Sequence, residues 1–176
     1  MLPASDKVPV FLWVGRLDAP KRPDLFVDAC ARAGRTANLR AVMLGDGPLL
    51  GSIRAQAADL GAPVEVLGPT DDVMSYLREA SAVCLFSDFE GVPFSVQEAM
   101  WAGRAVVLSP LPSLQWFAGE AATYADDPAA AAEALLALCD RDVATARGVL
   151  AAERVREMLS ADAPFSRLLS DYGARQ

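Results

Sequence analysis

Glu90 and Glu98 stand eight positions apart in the stretch Ser87-Asp88-Phe89-Glu90-Gly91-Val92-Pro93-Phe94-Ser95-Val96-Gln97-Glu98. An apolar run that reads as a strand leads into this stretch, and a helical run leaves it. Read as a ligand site, one carboxylate would face a sugar and the other would accept hydrogen bonds from ribose hydroxyls. Between them Gly91, Val92, Phe94 and Ser95 have backbone N–H groups to present at the start of the helix, whereas Pro93 has none. A helix start with unpaired N–H groups and a positive dipole end attracts anions. A purely local reading fits the same spacing. Ser95-x-x-Glu98 has the form of a capping box, in which Glu98 bonds back to the Ser95 N–H and Glu90 is an ordinary surface charge. Spacing alone leaves both readings open.

A second cluster lies in Gly15-Arg16-Leu17-Asp18-Ala19-Pro20-Lys21-Arg22-Pro23, where three cations fall within seven residues. Arg16 offers a rigid fork of donors and Lys21 a mobile point charge, a combination suited to a diphosphate. Gly15 lets a backbone or ligand come close. The alternative is a solvated loop in which Asp18 and Asp24 neutralise the cations.

Both clusters depend on the elements that carry them. Apolar runs at residues 8–17, 39–44, 64–67, 82–86, 105–108 and 122–124 read as six strands. Helical segments are expected at 23–34, 48–60, 73–80 and 95–102, with Pro48 in the first position of its helix and Gly61 and Gly103 closing two of them. From residue 128 the pattern is helical to about 172, broken at Pro164. Continuous apolar strands alternating with helices predict an α/β fold, a Rossmann-like doubly wound parallel sheet of about six strands with helices on both faces. Ligands of such folds bind beyond the carboxyl ends of the strands, where both clusters fall.

The 176 residues suffice for one domain, residues 1–176, and a hydrophobic fraction of 53% argues against disorder. A net charge of -7 repels nucleic acid and anionic lipid, so an anionic ligand needs a local cradle. Cys30, Cys84 and Cys139 form no close pair and read as small buried hydrophobes in a reducing compartment. With no histidine, the commonest general base and zinc ligand are both missing. Asp71-Asp72 and Asp126-Asp127 read as turn and helix-cap residues, so no metal is expected. Without a signal peptide or a long apolar segment, a cytoplasmic protein is expected. The first strand begins almost at once, which suggests a piece of something longer.

The motifs, taken in order, resemble the nucleotide-sugar-binding, C-terminal half of the family 4 (group 1) retaining glycosyltransferases of the GT-B fold. They are Gly15-Arg16-Leu17 with Lys21-Arg22-Pro23-Asp24, Gly45-Asp46-Gly47-Pro48, Val66-Leu67-Gly68, Ser87-x-x-Glu90-Gly91-x-Pro93 and Glu98-Ala99-Met100-x-Ala102-Gly103-x-Ala105-Val106-Val107. The resemblance covers nearly the whole chain, and the spacing Glu90-x7-Glu98 matches the family's. It implies that Arg16 and Lys21 grip the donor diphosphate and that the loop around Thr70 contacts the base through its backbone. It implies, further, that Glu90 contacts the transferred sugar, the backbone of residues 91–94 the phosphates or sugar, and Glu98 the ribose. The donor would be a UDP-, GDP- or ADP-linked sugar with no cofactor. The acceptor would be held by an N-terminal domain absent from this chain, through which any membrane contact would run. Trp101 and Arg104 interrupt the family's last motif, Ala105 replaces its usual proline, and Gln115 stands where many members have glutamate.

The competing classes are a catalytically inactive nucleotide-sugar-binding or regulatory module, a sugar-nucleotide epimerase and a phosphorylation receiver. An epimerase would draw catalytic carboxylates and histidines from both halves. A receiver requires an acidic pair after the first strand and a lysine after the fifth, where this chain has Arg16 and Leu108-Ser109-Pro110.

Overall fold

The computed structural model describes residues 7–160. Six strands, β1 (Val10–Val14), β2 (Arg40–Leu44), β3 (Val64–Gly68), β4 (Ala82–Leu85), β5 (Ala105–Leu108) and β6 (Thr123–Tyr124), form one sheet in the order β3-β2-β1-β4-β5-β6. Every neighbouring pair is parallel. The strand order reverses between β1 and β4, the switch point of a Rossmann-like sheet.

Among the described residues, seven α-helices connect and cover the strands: α1 (Pro23–Ala33), α2 (Leu50–Asp59), α3 (Val73–Glu79), α4 (Phe94–Trp101), α5 (Pro112–Ala118), α6 (Pro128–Ala137) and α7 (Arg141–Leu159). Alternate strand residues feed two separate cores. Phe11, Trp13, Met43, Cys84 and Val107 pack on one face with residues of α1, α2 and α6. Leu12, Val42, Leu44, Val83, Leu85, Val106 and Leu108 pack on the other with residues of α3, α4, α5 and α7. Both faces being covered explains why the inner strands β1, β2, β4 and β5 read as continuous apolar runs rather than alternating ones.

Several boundaries differ from the sequence reading. β1 stops at Val14, three residues short of expectation, because beyond it the chain leaves the sheet to build the first loop. Pro48 lies in a turn closed by the Leu50 N–H donating to the Gly47 carbonyl, and α2 begins only at Leu50. The expected helix from residue 128 onward is two helices. Asp140 ends the first by capping the second, its carboxylate accepting from the Asp142 and Val143 amides. Residues 110–121, assigned to no element from sequence, contain α5 and a 3-10 turn at Gly119–Ala121. The part of the expected helical pattern beyond residue 160, with its break at Pro164, lies outside the described residues.

The cap readings of the aspartates hold. Asp72 caps α3 through the Ser75 amide, and Asp127 caps α6 through the amides of Ala129 and Ala130. The latter two bonds, Ala130's foremost, hold the Asp127 carboxyl below its usual range. Cys30 and Cys84 are buried free thiols, and burial pushes both up. Cys139 is a half-buried free thiol, raised for the same reason.

Candidate functional site

At the carboxyl end of β1 the chain must pass close to the loop after β2. Gly15 donates to the Leu44 carbonyl at 3.0 Å and Leu17 to the Asp46 carbonyl at 2.9 Å. Gly45 has φ 143°, and a Cβ built on it would fall 1.8 Å from the Gly15 carbonyl oxygen. A Cβ on Gly47 would fall 2.3 Å from the Leu17 carbonyl oxygen. The Gly45-x-Gly47 motif is therefore a support for the first loop, because only glycines admit that approach.

That loop continues through a 3-10 turn, Ala19–Lys21, into Arg22, which adopts the left-handed conformation with φ 43°. A non-glycine residue held there costs about 1–3 kcal/mol. Offsetting contacts come from the Arg22 guanidinium, which donates to the Asp126 carbonyl at 3.1 Å and lies 3.8 Å from the Asp88 carboxylate. Pro23 then opens α1 with φ already set. The outcome is that Lys21 projects from a fixed turn toward the loop after β4.

There it meets Glu90. The Lys21 ammonium and the Glu90 carboxylate form an ion pair, their side chains 25% and 7% exposed. Ser87, itself buried, braces this contact. Its hydroxyl lies 3.1 Å from Glu90 Oε1, 3.0 Å from the Pro20 carbonyl and 3.3 Å from the Phe89 carbonyl. The Asp88 amide also donates to the Pro20 carbonyl at 2.8 Å, fastening the two loops backbone to backbone. From the other side, the Ser109 hydroxyl accepts the Ser87 amide at 2.9 Å, and the Ser113 hydroxyl donates to the Glu90 carbonyl at 2.6 Å. Glu90 is thus held at both side chain and backbone.

Arg16 behaves differently. It donates to Asp18 at 2.9 Å while its side chain stays 70% exposed, so the neutralised-loop reading is realised for this one cation. The other Asp18 oxygen, Oδ1, is buried without a hydrogen-bond partner. Asp24, the second expected neutraliser, makes no ion pair with either Arg16 or Lys21 and sits in the first turn of α1.

The capping-box reading of Ser95 and Glu98 is overturned. α4 starts at Phe94 with Pro93 as its N-cap, and no side chain caps it. Ser95 is inside the helix, and Glu98 is its fifth residue rather than part of the first turn. Among the described residues the Glu98 side chain makes no hydrogen bond or ion pair, and Glu98 is exposed. Pro93 wins the cap position because it cannot donate, while its carbonyl accepts from the Val96 and Gln97 amides at 3.1 and 3.2 Å. The first-turn amides of Phe94 and Ser95 have no acceptor within an α-helix. Gln97 reaches back to the Val92 carbonyl at 3.0 Å, tying the Gly91–Val92 segment to α4. Phe94 is 80% exposed. Thr70 lies beyond β3 at the sheet's far edge, its hydroxyl accepting the Asp72 amide at 3.2 Å.

Sequence reasoning placed Gly15, Arg16, Lys21 and Glu90 at one edge, and the Lys21–Glu90 contact joins the two loops. It missed Ser109 and Ser113. Ser109 follows β5, and Ser113 belongs to α5; neither carries a local signal of its distant partner. Ser87 had such a signal in its i, i+3 spacing to Glu90. Among the described residues, no three Cys, Asp or Glu gather as a metal site would require, and no helix is long and apolar enough to cross a membrane.

The strand order and the meeting of a cationic loop with a carboxylate loop at the switch point define a Rossmann-like domain with its cleft at the carboxyl edge. The sequence model of the family described as Glycosyl transferases group 1 matches residues 8–141, and the chain belongs to that family. The chain is 32% identical over 98 residues to a Campylobacter jejuni alpha-1,4-N-acetyl-D-galactosaminyltransferase that acts on a diNAcBac-PP-undecaprenol-linked glycan, covering 54% of this chain and 27% of the relative. To the lipopolysaccharide 1,6-galactosyltransferase of Salmonella typhimurium it is 33% identical over 115 residues, 61% of this chain and 32% of that protein. It spans about a third of these relatives' length or less. Among solved structures, an S. aureus TarM mutant crystallised with Fondaparinux, alpha-GlcNAc-glycerol and UDP superposes with a TM-score of 0.84 at 20% identity, over 95% of this chain and 36% of that one. The catalytic domain of the Helicobacter pylori cholesterol-alpha-glucosyltransferase gives 0.75 at 17% identity, over 85% of this chain and 98% of that one. At such identities the likeness concerns the fold, a Rossmann-like half of the GT-B type.

Proposed function

We propose that this chain is the donor-binding domain of a retaining hexosyltransferase, holding a nucleotide-diphospho-sugar for transfer to an acceptor bound by a separate N-terminal domain. The observation that carries the reading is the joining of the Lys21 loop to the Glu90 loop at the switch point, beside the uncapped start of α4. The relatives are sugar transferases, and the TarM structure holds UDP.

In this reading Arg16 and Lys21 take the two phosphoryl groups, and the amides of Phe94 and Ser95 add donors from the helix start. Cationic groups and aligned amides fixed before the reaction stabilise the charge that develops on the departing diphosphate. Gly91, Val92 and Pro93 form the backbone wall beside the sugar, and Glu90 orients its hydroxyls. Glu98, exposed on α4, accepts from the ribose. The backbone around Thr70 meets the base. Departure and attack on one face of the sugar retain the anomeric configuration. The charge on the leaving group is met by side chains and amides, so the reading needs no metal or cofactor.

The test is calorimetric titration of the chain with UDP, GDP and ADP, followed by their sugar conjugates. One nucleotide is expected to bind, with its sugar conjugate distinguished from it. Absence of binding by every nucleotide would overturn the proposal.

A further inference from the structure

Both cations assigned to the diphosphate already carry a carboxylate: Arg16 holds Asp18 and Lys21 holds Glu90. The two pairs differ in kind. Arg16 is largely exposed, and its pairing with a residue two positions away is worth little. Glu90, by contrast, is almost fully enclosed and comes from a loop 69 residues away in sequence. Its carboxylate is placed by Ser87, and its backbone by Ser113.

Resting on the function proposed above, we infer that Glu90 is the internal counterion of Lys21, and that the donor diphosphate binds by displacing it. The exchange is one anion for another at the same ammonium, so Lys21 keeps an anionic partner throughout. Glu90 is not left stranded. Ser87 has one hydroxyl proton and three acceptors around it: Glu90 Oε1, the Pro20 carbonyl and the Phe89 carbonyl. The Pro20 carbonyl already accepts the Asp88 amide, so the Ser87 proton is available to Glu90 when Lys21 leaves. Oε1 keeps the Ser87 bond and regains the acceptor site that Lys21 held, which a sugar hydroxyl beside the phosphates would then fill. Sugar recognition is thereby coupled to diphosphate recognition. A free monosaccharide finds Oε1 of Glu90 engaged by Lys21, whereas a nucleotide sugar frees that acceptor site for its own sugar.

The consequence is measurable. Removing the competing charge by Glu90→Gln strengthens binding of the bare diphosphate even though it weakens sugar recognition. Calorimetry on the full 176-residue chain, with inorganic pyrophosphate and UDP, GDP and ADP as probes, is expected to show at least about threefold tighter binding by Glu90→Gln. Glu90→Asp keeps the charge but draws it back by one methylene, and serves as a second variant with the same expected direction. Asp88→Asn removes an equal charge from an exposed position nearby. It is expected to change affinity far less, separating exchange from a general field effect. On a Lys21→Met background, the gain from Glu90→Gln is expected to fall to the part that comes from relieving charge repulsion alone.

If the native chain binds a nucleotide and the Glu90 variants bind no tighter, the exchange is wrong while the donor-site reading stands. Equal tightening by Asp88→Asn likewise overturns the exchange alone. Absence of binding by the native chain and all variants overturns both.

Discussion

The ammonium of Lys21 meets the carboxylate of Glu90 across the switch point, joining loops that leave β1 and β4. The pair locks the geometry of the cleft and occupies the cation assigned to the ligand. Lys21→Met is expected to weaken nucleoside diphosphate binding by about tenfold or more, the range for a charge-assisted hydrogen bond. It should also lower unfolding stability by about 1–3 kcal/mol in urea titrations, because an enclosed carboxylate loses its partner. Unchanged affinity would remove Lys21 from the diphosphate grip.

Arg16 is exposed and, among the described residues, paired only with its neighbour Asp18, so its folding role is small. Arg16→Ala is expected to leave stability within about 0.5 kcal/mol. In the intact enzyme kcat/KM should fall ~100-fold or more, as for loss of one charge-stabilising donor. Steady-state kinetics beside a denaturation curve checks both halves; a normal rate would count against the cradle.

Ser95 and Asp72 form a contrast between an expected cap and an observed one. Ser95→Ala is expected to stay within about 0.5 kcal/mol of the native stability, because Ser95 sits inside α4 and caps nothing. Asp72→Ala removes the bond to the Ser75 amide and should cost about 1 kcal/mol. A larger loss for Ser95→Ala would restore the capping box.

Gly45 tolerates no side chain. Its φ of 143° and the 1.8 Å approach of a built Cβ to the Gly15 carbonyl leave alanine nowhere to go without moving β1 or β2. Gly45→Ala is expected to destabilise by more than about 3 kcal/mol, read from the urea midpoint. A near-native midpoint would show that the first loop does not rest on this turn.

Asp127 offers a pH test. Its carboxyl is held below its usual range by the amides of Ala130 and Ala129, so its ionised form contributes stability above the unfolded pKa of about 3.9. That contribution is lost as pH falls through the lower, folded value. The melting temperature of Asp127→Ala should therefore lie below native at pH 7, and the gap should close on acidification. A gap that persists in acid would assign it to helix propensity rather than to the charged cap.

The sheet was legible because its inner strands β1, β2, β4 and β5 are buried on both faces and therefore stand out as apolar runs. β5 was read to the residue at Ala105–Leu108, and the Gly61 stop after α2 was also visible, its φ of +57° favouring glycine. The pause between α6 and α7 was not. An alanine-rich run continues through Ala137, and only Asp140's bonds to two amides decide where the second helix begins. α5 escaped notice because seven residues opening on a proline show too little periodicity.

For the site, residue types and their order sufficed to bring Arg16, Lys21 and Glu90 to one edge, since parallel strands deliver their following loops to the same side. Whether Ser95 caps a helix, and which carboxylate each cation holds, was decided only in three dimensions. Those choices depend on where Pro93 ends the loop and on how closely Pro20, Ser87 and Ser113 converge, distances that spacing along a chain does not encode. The chemical groups were written in the sequence; their pairing came from packing, because a side chain bonds to whatever the fold sets within reach.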